Sequence, residues 1–177
     1  VPLDHLWATW RSNYVTGVAD SRTTATPDGE AVGLSLFERI LAAPGTDAEK
    51  YIVWRGEWTF AILNRFPYTA GHLMVLPLRA VADLEALTPE EHTEIFAAVT
   101  RAVVALKSAF GCDGVNVGVN LGEAAGGSQS DHLHVHCVPR WVGDANFISV
   151  AADTRVLPVS LTEAWEKLVA AWDAAPR

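Results

Sequence analysis

Three histidines alternate with apolar residues in His132-Leu133-His134-Val135-His136-Cys137-Val138, so half of the chain's 6 histidines fall within a few positions. Successive side chains of a strand point to opposite faces, so these imidazoles share one face and begin roughly 6–7 Å apart. Leu133, Val135 and Cys137 then share the other face and enter a core. Such a row admits three chemistries. The histidines could be polar residues on a solvated face, where Lys, Thr or Glu would serve equally well. Two or three of them could bind zinc or a similar ion. Or one could be a nucleophile whose neighbours orient it and bind the anion it attacks.

The flanking sequence favours the nucleophile. No second ligand motif of the His-Glu-x-x-His type accompanies the row. Gly126-Gly127-Ser128 precedes it. Glycines let backbone approach a ligand closely, consecutive N–H groups can form an anion-binding nest, and a serine adds a hydroxyl donor. Alone, Gly-Gly-Ser is equally well an ordinary turn; beside three co-facial histidines it reads as a phosphate cradle. There is no Gly-Lys-Ser/Thr of a P-loop. His5 and His92 lack any supporting pattern and read as ordinary polar residues. Glu90 and Glu91 read as helix-start carboxylates, not as acid–base groups.

The elements that position the row follow from periodicity. Leu3, Leu6, Trp7, Trp10 and Tyr14 keep a helical period, and residues 16–31 are rich in Gly, Ser, Thr, Asp and Pro and read as an exposed loop. A short helix is predicted over Leu34–Ala43, ended by Pro44-Gly45. Tyr51–Trp54 and Trp58–Leu63 read as a hairpin around Arg55-Gly56-Glu57, and His72–Leu76 as a third strand stopped by Pro77. Thr88-Pro89-Glu90-Glu91 carries the signals of a capped helix start, and the apolar stripe from Ile95 to Phe110 continues that helix to Gly111. Gly114–Asn120 and His132–Val138 read as strands, Phe147–Val150 as a short further one, and Ser160–Glu163 opens a last helix through Trp172. The expected architecture is α+β: a mostly antiparallel sheet of about five strands with packed helices. It is expected as one domain over residues 1–177: an N-terminal helix and loop (1–50), a core (51–150) and a C-terminal helical extension (151–177).

Bulk properties narrow the function classes. A net charge of −8 disfavours binding to nucleic-acid backbone, which needs a basic surface, while an anionic small ligand held by local donors stays compatible. No apolar run approaches the roughly 20 residues of a membrane-spanning helix. The first residues lack a basic-then-apolar signal pattern. Cys112 and Cys137 form no Cys-x-x-Cys pair, and a reducing cytoplasm is the simplest setting.

The row His132–Val138, together with Asn64-Arg65-Phe66-Pro67-Tyr68-Thr69-Ala70-Gly71-His72-Leu73-Met74-Val75-Leu76-Pro77, resembles the histidine-triad family, whose signature is His-φ-His-φ-His-φ-φ with φ apolar. The likeness covers about residues 50–150. It is strongest to the actinobacterial branch that phosphorolyses diadenosine tetraphosphate, through Asn120-Leu121-Gly122, Gly126-Gly127-Ser128, Pro139-Arg140-Trp141 and Gly143-Asp144-Ala145-Asn146-Phe147. Asp4-His5-Leu6-Trp7 extends it towards the N-terminus. The resemblance implies His134 as nucleophile on an α-phosphorus, a carbonyl near His132 fixing its tautomer, His132 as an orienting residue, and His136 and His72 on phosphate or bridging oxygens. Gly127, Ser128 and Asn120 would hold phosphate, Asn64 ribose and base, and Trp141 would stack on adenine or flank the phosphates. Trp141 reads equally as a core or subunit-contact aromatic, and Arg140 and Arg79 as phosphate partners or surface ion pairs. The second nucleophile would be inorganic phosphate, giving ATP and ADP, or water, giving a hydrolase. A third alternative is a non-catalytic nucleotide- or metal-binding module. The stretch where many bacterial members carry a Cys-x-Phe-Cys zinc element is here Ser35-Leu36-Phe37-Glu38, so no metal is expected there. No tightly bound cofactor is implied, a divalent cation could accompany the substrate, and a homodimer or homotetramer is the expected assembly.

Overall fold

The computed structural model describes residues 33–126, 129–144 and 157–175. Residues from Leu34 onward form one compact unit. The expected N-terminal helix, the 16–31 loop, His5, Gly127, Ser128 and the Phe147–Val150 strand lie outside the described residues. The unit starts with α1 (Leu36–Ala42) and a short turn of helix, α2 (Asp47–Lys50). Then come β1 (Ile52–Arg55), β2 (Thr59–Leu63), β3 (Leu73–Pro77), α3 (Pro89–Phe110), β4 (Gly114–Val119), β5 (Val135–Arg140) and α4 (Leu161–Ala174). The strands form one five-stranded sheet in the order β1-β2-β3-β5-β4, with every neighbouring pair antiparallel. The α+β expectation is met.

Alternation sorts each central strand between two apolar layers. Ala61 and Leu63 of β2, Leu73 and Val75 of β3, and Val135 and Cys137 of β5 join the main core. Ile95, Ala98, Ala102 and Leu106 of α3 and Leu168 and Trp172 of α4 cover them. Phe60, Ile62, Met74 and Leu76 point the other way and meet Phe37 of α1 in a smaller cluster. This explains why Phe60–Leu63 of β2 and all of β3 read as unbroken apolar runs: both faces are covered, and each fully buried Leu, Val or Phe contributes about 1.5–3 kcal/mol. The triad strand differs in one respect. Its main-core face is apolar, but its second face carries the imidazoles.

The long helix begins as its sequence dictates. Thr88 Oγ1 accepts from Glu91 N–H at 3.3 Å and Glu91 returns a carboxylate to Thr88 N–H at 2.8 Å, with Pro89 in the first turn. Gly111 closes it with φ +57°, a conformation glycine adopts freely. Glu91 does more than cap. It is 3% exposed and holds Arg79 through 2.7 and 2.8 Å bonds, so the guanidinium keeps its carboxyl below the usual range. Replacing Thr88 by Ala removes one arm of this box, and the expected loss is about 1 kcal/mol, or roughly 2–4 °C in Tm, in a chain of this size. Thermal unfolding of T88A measures it; an unchanged Tm would show that the cap contributes nothing.

β5 begins at Val135, later than the expected His132. Val75 pairs with Val135, Met74 with His136 and Leu73 with Cys137. Continued by two residues, that register sets Leu133 opposite Pro77, whose nitrogen has no hydrogen to donate. Leu133 N–H turns instead to Val81 O at 2.6 Å. The alternation of side chains nevertheless persists through the non-ladder residues, with Leu133 in the main core and His132 and His134 against Phe37.

Candidate active site

The three histidines of the row are buried: His132 is 0% exposed, His134 7% and His136 9%. They are therefore not polar residues of a solvated face. A buried imidazole needs partners for its polar atoms, and those partners fix the tautomer.

His134 Nδ1 lies 2.8 Å from the carbonyl oxygen of His132. A carbonyl only accepts, so Nδ1 carries the hydrogen and Nε2 keeps its lone pair. Among the described residues no hydrogen bond reaches that Nε2. His136 sits beside it, with ring centroids 4.8 Å apart and planes at 83°.

His136 is set by a relay that starts on the 64–71 loop. The backbone N–H of Tyr68 donates to His72 Nδ1 at 3.1 Å, with the Asn64 amide nitrogen 3.4 Å from the same atom. His72 must then carry its hydrogen on Nε2, which lies 2.9 Å from His136 Nδ1. His136 in turn is protonated at Nε2, and that buried atom has no hydrogen-bond partner among the described residues. Leaving a buried donor unmade costs about 1–3 kcal/mol, so an orphan N–H beside the His134 lone pair is a place suited to an acceptor. Burial, reinforced by His134, pushes the His136 pKa down to about 4, so the neutral donor form holds at physiological pH.

His132 is pinned at both ring nitrogens. Nε2 donates to Pro77 O at 2.9 Å, and Nδ1 is 2.7 Å from Ser35 Oγ. Burial lowers its pKa, against the opposing effects of the Pro77 carbonyl and Glu38. Phe37 packs edge-on against it at 5.4 Å and covers His134 at 5.8 Å.

The remaining expected residues divide by position. Asn64 sits beside His72, and its Oδ1 accepts from Phe66 N–H at 2.9 Å, shaping the loop that carries the relay. Asn120 and Trp141 line a cavity of about 990 Å³ that His136 and Tyr68 also border. Trp141 is half-buried and packs on the main core as well. Arg140 and Arg79 are engaged in ion pairs, with Asp144 at 2.5 Å and Glu91 at 2.7 Å. His92 Nε2 meets Leu84 O at 3.1 Å. Gly127 and Ser128 are outside the described residues. Both cysteines are free and buried, and burial pushes the Cys137 thiol up to about 12, so it is no nucleophile.

Sequence reasoning overlooked Ser35, Glu38 and Tyr68 as parts of this arrangement. Ser35-Leu36-Phe37-Glu38 was legible as a capping box, Ser-x-x-Glu before an apolar position, and α1 does begin with that box in place. Tyr68 lies within the Asn64–Pro77 segment, but its residue type does not mark its role, which joins a backbone N–H on His72 to a ring 4.5 Å from His72 and 5.8 Å from His136. Among the described residues no group of three or more His, Cys, Asp or Glu side chains is arranged to hold a metal ion.

The fold and this set of coupled imidazoles define a histidine-triad protein, and comparison with known proteins agrees. The model of the HIT domain matches residues 46–142. The chain belongs to the histidine-triad (HIT) family and to the enzymes within it. It is 40% identical over 174 residues to the AP-4-A phosphorylase of Mycobacterium tuberculosis, covering 98% of this chain and 87% of that one. The asymmetrical bis(5'-nucleosyl)-tetraphosphatase of Schizosaccharomyces pombe is 34% identical over 93 residues, covering 52% of this chain and 50% of that one. Among solved structures, a Zn-bound histidine-triad family protein from Mycobacterium smegmatis superposes with a TM-score of 0.65 at 30% identity, covering 79% of this chain and 94% of its own. No described helix is long and apolar enough to cross a membrane.

Proposed function

We propose that the protein is a nucleotidyl-transferring phosphorylase that cleaves dinucleoside polyphosphates through a nucleotide bound covalently to His134. The observation that carries this reading is the His134 tautomer, with Nδ1–H given to the His132 carbonyl and the Nε2 lone pair left for attack. The 40% identity to an AP-4-A phosphorylase across nearly the whole chain supports the substrate class and the second acceptor.

The scheme balances without a free base. The Nε2 lone pair attacks the α-phosphorus of diadenosine tetraphosphate, and the bond from that phosphorus to its bridging oxygen breaks, releasing ATP. The ring becomes an adenylyl-imidazolium whose positive charge faces the His132 carbonyl, 2.8 Å from Nδ1. His136 Nε2–H donates a hydrogen bond to the bridging oxygen as charge collects there, a preorganised donor on a buried ring. Inorganic phosphate then attacks the same phosphorus, the P–N bond breaks, ADP leaves and His134 is again neutral. Asn120, Gly127 and Ser128 hold phosphate oxygens in this reading, Asn64 the ribose and base, and Trp141 a base or the phosphates. The steps call for no resident cofactor, and a divalent cation, where one takes part, arrives with the polyphosphate. A homodimer or homotetramer is the proposed assembly.

Water in place of phosphate gives AMP and ATP, a reading favoured by the tetraphosphatase and triphosphatase names of relatives that match about half of the chain. Chromatography of the products with and without phosphate separates the two. ATP and ADP that form only when phosphate is supplied are expected. AMP formed at an equal rate in its absence would assign the protein to the hydrolases.

A further inference from the structure

We infer that Ser35 and Glu38, at the start of α1, are positioning residues that set the nucleophile through His132. This rests on His134 being the attacking group.

Counting hydrogens fixes which atom donates between Ser35 and His132. His132 is fully buried and gives its Nε2–H to Pro77 O, so its Nδ1 is a bare acceptor that requires a donor. The group within reach is the Ser35 hydroxyl, 2.7 Å away. That hydroxyl also accepts Glu38 N–H at 3.2 Å, so its lone pair faces the helix and its single hydrogen faces the imidazole. A helix start alone would be served as well by Asp, Asn or Gly. Asp at this place has no hydrogen to give, and Gly has no side chain. A side chain that donates as well as accepts is required by His132, not by the helix.

Glu38 closes the arrangement into a ring. Its carboxylate accepts Ser35 N–H at 2.9 Å and Ala80 N–H at 3.0 Å, which tethers α1 to the segment after β3. The next residue of that segment, Val81, accepts Leu133 N–H at 2.6 Å. Two contacts therefore grip the chain on either side of the His132 carbonyl: Ser35 holds the ring and Val81 O holds the following N–H. That carbonyl receives His134 Nδ1–H. A shift of His132 moves the acceptor, and with it both the tautomer and the aim of Nε2. Displacement of reacting groups by about 1 Å can cost 10²-fold in rate.

Ser35→Gly separates the two roles, since Gly preserves a helix start to within a few tenths of a kcal/mol but has no hydroxyl. It is expected to lower kcat roughly 10- to 100-fold, leave KM within about threefold, and change the imidazole ¹⁵N shifts of His134 from Nδ1–H to a tautomer mixture. Ser35→Thr retains both hydroxyl roles and is expected to restore the His134 shifts and most of kcat. Unchanged kcat and ¹⁵N shifts in Ser35→Gly would overturn the inference. So would an unmodified protein whose His132 carries its hydrogen on Nδ1, a measurement that needs no variant to fold. The ¹⁵N readings need no substrate, so they stand even where the product assay rejects the phosphorylase reading.

Discussion

His134→Asn should reduce turnover of diadenosine tetraphosphate by about 10⁴-fold or more, with little loss of folded protein. The asparagine amide can still donate to the His132 carbonyl that now receives Nδ1–H at 2.8 Å, so the local backbone keeps its partner. What disappears is the Nε2 lone pair. Loss of a covalent nucleophile removes the entire two-step path, and deletions of this kind cost on the order of 10⁴–10⁶ in kcat. The change should fall on kcat, since binding of the polyphosphate relies on other groups. Steady-state and single-turnover assays on H134N read it directly. A loss smaller than tenfold would remove His134 as the nucleophile.

His136→Ala should cost about 10²–10³-fold in kcat, as expected for removing one preorganised donor to developing negative charge. The donor is neutral, and this distinguishes it from a general acid that titrates near pH 6. With its pKa held down to about 4 by burial and by His134, His136 should add no acid limb to kcat between about pH 5 and 8. The same depression has a stability consequence with a definite sign. The unfolded chain takes up a proton at the ordinary histidine value of 6.5, while the folded chain resists until about 4. Stability therefore falls as pH drops below about 6.5 and stops falling on this account below about 4. In H136A that portion of the acid sensitivity should vanish, which denaturant unfolding at pH 7 and pH 4.5 would reveal. A kcat limb near pH 6 that disappears in H136A would instead mark His136 as a charged acid.

Much of this was legible in the order of residues, for reasons that are local. The β2 run from Phe60 to Leu63 and the whole of β3 are apolar because both sheet faces are covered, and Thr88-Pro89-Glu90-Glu91 carries its own capping chemistry. The triad announces itself through a period of two, and that period survives even where the ladder does not, since Leu133 enters the core from outside β5. The partners that make the imidazoles chemically distinct were not legible. Ser35 meets His132 across 97 positions and His72 meets His136 across 64, and a single sequence holds no signal for such contacts. Ser35-x-x-Glu38 is the instructive case. Its local meaning, a capping box, could be read, but its second use of the same hydroxyl could not. Arg79 and Arg140 show the reverse. Cations near a phosphate motif invite a binding role, yet both guanidiniums are taken by Glu91 and Asp144.

In the proposed path His134 Nε2 becomes bonded to phosphorus. Mixing ¹⁵N-histidine-labelled protein with diadenosine tetraphosphate in the absence of phosphate, quenching in alkali and mapping the adduct by mass and by ³¹P–¹⁵N coupling tests it directly. One adenylyl group is expected on His134 Nε2, formed with an equivalent of ATP and discharged as ADP when phosphate is added. An adduct on another side chain, or turnover that proceeds with no adduct at any time, would contradict it.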